Sequence, residues 1–138
     1  MSKNRVLKLV PKDKFDNSTL DELMRINESE MELILPELIL WIADFNWPVA
    51  KDMIRVLIRY PKYLIPIIKD SLALTQNDDI LKYWILVKLI PELSIEYQEM
   101  LLEDIERIYK YPTLSEESEE ICDQAKILLD KINGTQTK

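Results

Sequence analysis

The sequence has no histidine, one cysteine and one glycine in 138 residues. Each scarcity removes a class of chemistry. Without histidine there is no Ser-His-Asp or Cys-His nucleophilic system and no histidine-ligated zinc. Cys122 alone makes neither an intrachain disulfide nor a four-cysteine metal site, and its solitude fits a reducing cytosol. One glycine cannot supply the G-x-x-x-x-G-K-[ST] or G-x-G-x-x-G loops that cradle phosphates, and it disfavours the tight hairpins of a β-rich fold. No run approaches the length of a charge-free membrane span. The basic start, MSKNRVLKLVPKDKFD, is unlike a secretory signal, because Lys8 interrupts its apolar run and Pro11 stops it. No cofactor and no metal site are expected.

What is present suits a soluble, helical, single-domain protein. Apolar residues make up 47% of the chain and the mean hydropathy is -0.15. The net charge of -7 is unevenly spread. Residues 1–16 carry five Lys/Arg against two Asp, whereas residues 94–123 carry ten acids against two bases, a local balance of -8. An acidic chain is a poor partner for duplex nucleic acid, where phosphate neutralisation supplies much of the affinity, and a better one for a basic protein.

Helix signals recur along the chain. Thr19-x-x-Glu22, Ser29-x-x-Glu32 and Thr113-x-x-Glu116 read as capping boxes. Asn77 or Asp78 is expected to cap another helix and Ser94 one more. Pro61 suits a first helical turn and Gly134 a C-terminal stop. Between these marks Val49, Met53 and Leu57, and likewise Leu81, Ile85 and Leu89, recur at helical spacing. The pattern predicts helices over 19–27, 30–43, 47–60, 61–74, 78–91, 94–110 and 114–133. Cys122 falls beside Ile121 on the apolar side of the last one, where a buried, inert thiol is expected.

The helices repeat. ILPELILWI (34–42) aligns with LIPIIKDSL (64–72), pairing Ile34 with Leu64, Leu35 with Ile65, Pro36 with Pro66 and Leu38 with Ile68. The helices that follow pair Val49 with Leu81, Met53 with Ile85 and Leu57 with Leu89. Alternating proline-bearing and straight helices predict an all-α fold, a short HEAT-like α-solenoid of about three helix pairs with an N-terminal helix. The expected organisation is a basic N-terminal arm over 1–16, a helical-repeat domain over 17–134 and a tail over 135–138.

DFNWPVAKDM (44–53) is then a turn between two helices of a repeat. Asp44 ends the first helix, Asn46 caps the second, Pro48 opens it, and Trp47 packs at the corner. The sharper reading makes Asp44, Asn46 and Trp47 the wall of a ligand pocket. KLVPKDKFD (8–16), LWIADFNWPVA (40–50), LKYWIL (81–86) and YPTLSEESEE (111–120) together resemble a family of small uncharacterised bacterial proteins, filed as a domain of unknown function. The NWPVA and KYW blocks carry most of that resemblance. It implies an all-helical, HEAT-like cytoplasmic protein, and no activity or functional residue comes with it.

Three further groups bear on function. Glu116, Glu117, Glu119, Glu120 and Asp123 are dense enough for hard-metal or acid–base work. They equally complement a helix N-terminus, and with no glycine-bearing calcium loop they form no EF-hand. Tyr83 and Trp84 after Lys82 offer a stacking platform, against a reading in which Trp84 is core. Lys51 and Arg55 lie on the polar side of the helix after Pro48, either solvated or on a partner-binding face. The reading that follows is a non-catalytic protein-interaction module, with an immunity-type protein neutralising a basic toxin as its specific form. The alternative is a small-ligand-binding protein or carboxylate-based enzyme with a pocket near Asp44 and Trp47. Nucleic acid and membrane partners are not expected.

Overall fold

Pro48 and Pro61 each stand at the first residue of a helix, where a missing N–H costs nothing. The computed structural model describes residues 6–73 and 78–136. It places nine α-helices there in chain order: α1 Leu20–Leu23, α2 Glu28–Leu38, α3 Pro48–Leu57, α4 Pro61–Leu72, α5 Asp79–Trp84, α6 Ile95–Glu99, α7 Leu102–Lys110, α8 Leu114–Ser118 and α9 Ile121–Gln136. Helix takes up 72% of the described residues and no strand occurs among them, so the fold is all-α. Asn77 and the outer ends of the expected arm and tail lie outside the described residues.

The chain divides into two compact units, residues 1–67 and 68–138, with the boundary inside α4. In the first unit Leu23, Met31, Ile34, Leu38, Met53, Leu57 and Leu64 are buried in the core. The stretch expected as a basic arm joins it. Val6 is buried, and the Lys14 carbonyl accepts the Val49 N–H at 3.1 Å. The buried Tyr60 hydroxyl donates to the Leu23 carbonyl at 2.8 Å and to that of Ile26 at 3.1 Å. It thereby ties the α1–α2 turn to the start of α4, and burial pushes the phenol pKa up.

Competition between caps moved several helix ends. Asn27, extended at ψ 163°, caps α2 by accepting the Glu30 N–H at 2.9 Å, so Ser29 lies inside the helix and its box with Glu32 gives way. Asn and Asp cap at least as well as Ser, and an earlier cap gains helical residues. Thr19 makes no side-chain cap; its hydroxyl donates to the Leu9 carbonyl instead. Asn46 is not the cap of α3 either. Trp47 holds that position, and Asn46 gives its N–H to Asp44 Oδ1 at 2.9 Å in an Asx turn.

In the second unit α7 and α9 are the principal packing pair. Leu101, Ile105 and Ile108 meet a core that includes Ile121, Ala125 and Ile132. Asp78 caps α5, accepting the Leu81 N–H at 3.0 Å. After Trp84 the same helix widens to a π-turn over Ile85–Leu89 and tightens to 3-10 over Ile90–Glu92. Pro91 has no N–H for the Val87 carbonyl, so a regular ladder cannot run through it. Gln98 Nε2 donates to the carbonyls of Ile90 and Leu93 at 3.0 and 2.9 Å, satisfying that end. The helix predicted over 94–110 breaks into α6 and α7. The one predicted over 114–133 breaks into α8 and α9 around Glu120, whose φ is +63°. Gly134 stops nothing, because α9 runs through it to Gln136.

Candidate partner-binding surface

Thr113 and Glu116 form the capping box read from the sequence. The Thr113 hydroxyl accepts the Glu116 N–H at 3.1 Å, and Glu116 Oε1 accepts the Thr113 N–H at 2.9 Å. The same carboxylate does more. Glu116 is 0% exposed and lies 2.8 Å from the Nζ of Lys82, also 0% exposed. Both terminal nitrogens of Arg107 reach it, one to each oxygen, and the second also donates to the Leu72 carbonyl at the end of α4. Burial pushes the Glu116 pKa up, but hydrogen bonds from Arg107, Lys82 and the Thr113 N–H prevail and hold it at about 2. This cluster fixes α5, α7 and the start of α8 to one another inside the second unit. Lys82 and Glu116, expected on a partner-facing surface, are therefore interior residues: an ion pair this deep is kept only when its hydrogen bonds are all made.

Above the cluster, Asp79, Ile80, Tyr83, Glu119 and Glu120 line an open groove of about 300 Å³. Asp79 and Tyr83 are one turn apart on α5 and so share a face. The turn between α8 and α9 brings Glu119 and Glu120 opposite them. Asp79 Oδ1 is shielded, accepts no hydrogen bond from the described residues and lies 3.9 Å from Lys82 Nζ. Ile80 is 63% exposed. Among the described residues no group of three or more Asp, Glu or Cys is arranged to hold a metal ion. The groove thus offers three carboxylates beside an aliphatic and an aromatic wall.

The remaining candidates are dispersed. Glu117 is exposed on α8. Lys51 is exposed on α3, and Arg55 lines a separate small cleft with Asp21, Met24 and Asp52. Trp84 is half-buried rather than core, with its ring edge-on to Tyr83 at 5.0 Å and 89°. Cys122 is half-buried rather than buried, and desolvation raises its thiol pKa, so little thiolate forms. Trp47, also half-buried, meets Trp41 edge-on at 5.6 Å, and the two line an apolar groove of about 360 Å³ with Val10, Glu37 and Leu40. Neither Asp44 nor Asn46 lines it. The sequence reading missed Asp79, Ile80, Arg107 and Trp41. Spacing signals existed for Asp79, four residues before Tyr83, and for Trp41, six before Trp47. Nothing local pointed to Arg107, whose role is set by the packing of α7.

The model of the family described as Domain of unknown function (DUF5071) matches residues 9–129. No curated protein matches the chain. No helix among the described residues is long and apolar enough to cross a membrane.

Proposed function

Taking as premise that the chain belongs to the DUF5071 family, we propose that it is a non-catalytic protein-interaction module whose second unit receives basic side chains of a protein partner. The observation that carries this reading is the groove of Asp79, Glu119 and Glu120 around Ile80 and Tyr83. A lysine or arginine lays its methylene stem along apolar surface while its charge seeks carboxylates. The surrounding balance of -8 over residues 94–123 steers such a partner to the site. An immunity-type protein that neutralises a basic toxin in the cytoplasm is the specific form of this reading. HEAT-like repeats are the architecture it assumes. The matched Pro36 and Pro66, interior to α2 and α4, and the equal burial of Ile34 and Leu64, Leu38 and Ile68, Met53 and Ile85, and Leu57 and Leu89 support it.

The test uses a fluorescein-labelled peptide of alternating Lys and Leu, followed by polarisation. It is expected to bind at about 0.05 M NaCl and to weaken at about 0.5 M. The double substitution Glu119→Gln, Glu120→Gln is expected to weaken low-salt binding about tenfold. Equal affinity of the variant and the wild type would sink the reading. The apolar Trp41–Trp47 groove favours a second reading, a small apolar ligand near Trp47. Its check is a shift of tryptophan emission on adding 1-anilinonaphthalene-8-sulfonate, lost in Trp41→Ala.

A further inference from the structure

The loop joining α7 to α8, Tyr111-Pro112-Thr113, and the first residue of α8 display two large apolar side chains in water. Tyr111 is 74% exposed and Leu114 is 87% exposed. Their backbone is held from inside. The Tyr111 N–H donates to the Arg107 carbonyl at 2.8 Å, and the Thr113 N–H donates to the buried Glu116, itself fixed by Lys82 and Arg107. Pro112 removes one more backbone freedom. Side chains presented on a backbone already ordered lose little entropy when a partner covers them, and a tyrosine is among the residues that dominate interface energetics. We infer that Tyr111 and Leu114 form the apolar anchor of the partner interface, inserting into an apolar pocket rimmed by basic groups on a protein partner.

Charge selects that occupant. The anchor lies within the segment whose balance is -8, with Glu117 exposed on the helix it opens. A second copy would bring the same acidic surface to the contact, so like charges oppose self-association there. On α7 an open groove of about 320 Å³, lined by Glu103, Glu106, Arg107, Lys110 and Tyr111, adjoins the anchor and extends the contact area. The inference rests on the reading of a basic partner and adds to it the residues that supply the apolar contact.

Phage-displayed random peptides selected on the full-length protein at about 0.05 M NaCl provide the ligands. The affinities of the enriched peptides are then compared across three proteins: wild type, the pair Tyr111→Ser with Leu114→Ser, and the pair Glu119→Gln with Glu120→Gln. Both substituted pairs are exposed, and circular dichroism melts verify that each variant keeps the fold. The expected peptides combine Lys or Arg with aliphatic or aromatic residues, and the loop variant weakens them about tenfold or more. Weakening by the Gln pair alone overturns the anchor and leaves the basic-partner reading standing. Weakening by the loop pair alone, without salt dependence, keeps Tyr111 and Leu114 as an apolar contact but overturns the basic rim and the basic-partner reading with it. Loss in neither variant, or no enriched peptide, overturns both. A wild-type dimer in sedimentation velocity that the loop pair dissolves assigns the loop to a second copy and overturns the inference.

Discussion

Glu116 is the residue on which the second unit's polar interior depends. Removing its charge leaves the buried Lys82 with Asp79 alone, 3.9 Å away, and takes from Arg107 its carboxylate partner. Glu116→Gln is therefore expected to destabilise the fold by about 3–5 kcal/mol, measured by urea unfolding, and adding Lys82→Met should recover part of that loss. The pH dependence has a definite sign. The folded pKa is about 2, below the ordinary value of 4.5, so the contribution is complete above that ordinary value and is lost as pH falls from there toward 2. A gap of this size corresponds to roughly 3 kcal/mol, and the unfolding midpoint of the wild type should drop across that window more than that of Glu116→Gln. Glu120 invites a second substitution. Its φ of +63° lies in the left-handed region, two residues past the end of α8, where glycine is the usual occupant. Glu120→Gly should leave stability unchanged or raise it by up to about 1 kcal/mol, and Glu120→Val should lower it by about 1–2 kcal/mol; the reverse order in thermal melts would refute the strain. At this scale the Thr113–Glu116 spacing was legible, because a capping box is local. Lys82 as the partner of Glu116 was not, since 34 residues separate them and only tertiary packing brings them together.

Helices themselves were readable wherever apolar periodicity was strong, and each of the seven predicted segments contains helix. Their interruptions were not, because no glycine or proline marks the breaks at Met100–Leu101 and Glu119–Glu120. The π-turn after Trp84 left only a faint trace, Pro91 six residues beyond its start. Gly134 shows the opposite error, a breaker residue that the helix absorbs. It sits in α9 without a positive φ, and a Cβ built on it would meet nothing within 4 Å. Gly134→Ala should therefore stabilise the protein, by about 0.5 kcal/mol given its place in the last turn of α9. A lower melting temperature would show that α9 ends earlier.

For the molecule as a whole, composition was a sound guide to its class, since one glycine and strong helical periodicity leave few alternatives to an all-α fold. It carried no sign of one division. Compact packing separates residues 1–67 from 68–138, within the stretch expected as a helical-repeat domain over 17–134. The division was hidden because no linker marks it: α4 runs unbroken across it, burying Leu64 and Ile65 before the boundary and Ile68 and Leu72 after it. One extra residue placed between Pro66 and Ile67 shifts the rest of α4 by about 100° around its own axis, so Ile68 and Leu72 leave the side of the helix they now bury. Such an insertion should abolish cooperative melting by circular dichroism, whereas one at exposed Asn46, in the turn before α3, should be tolerated. In α4, a change of length is then costlier than a change of letter.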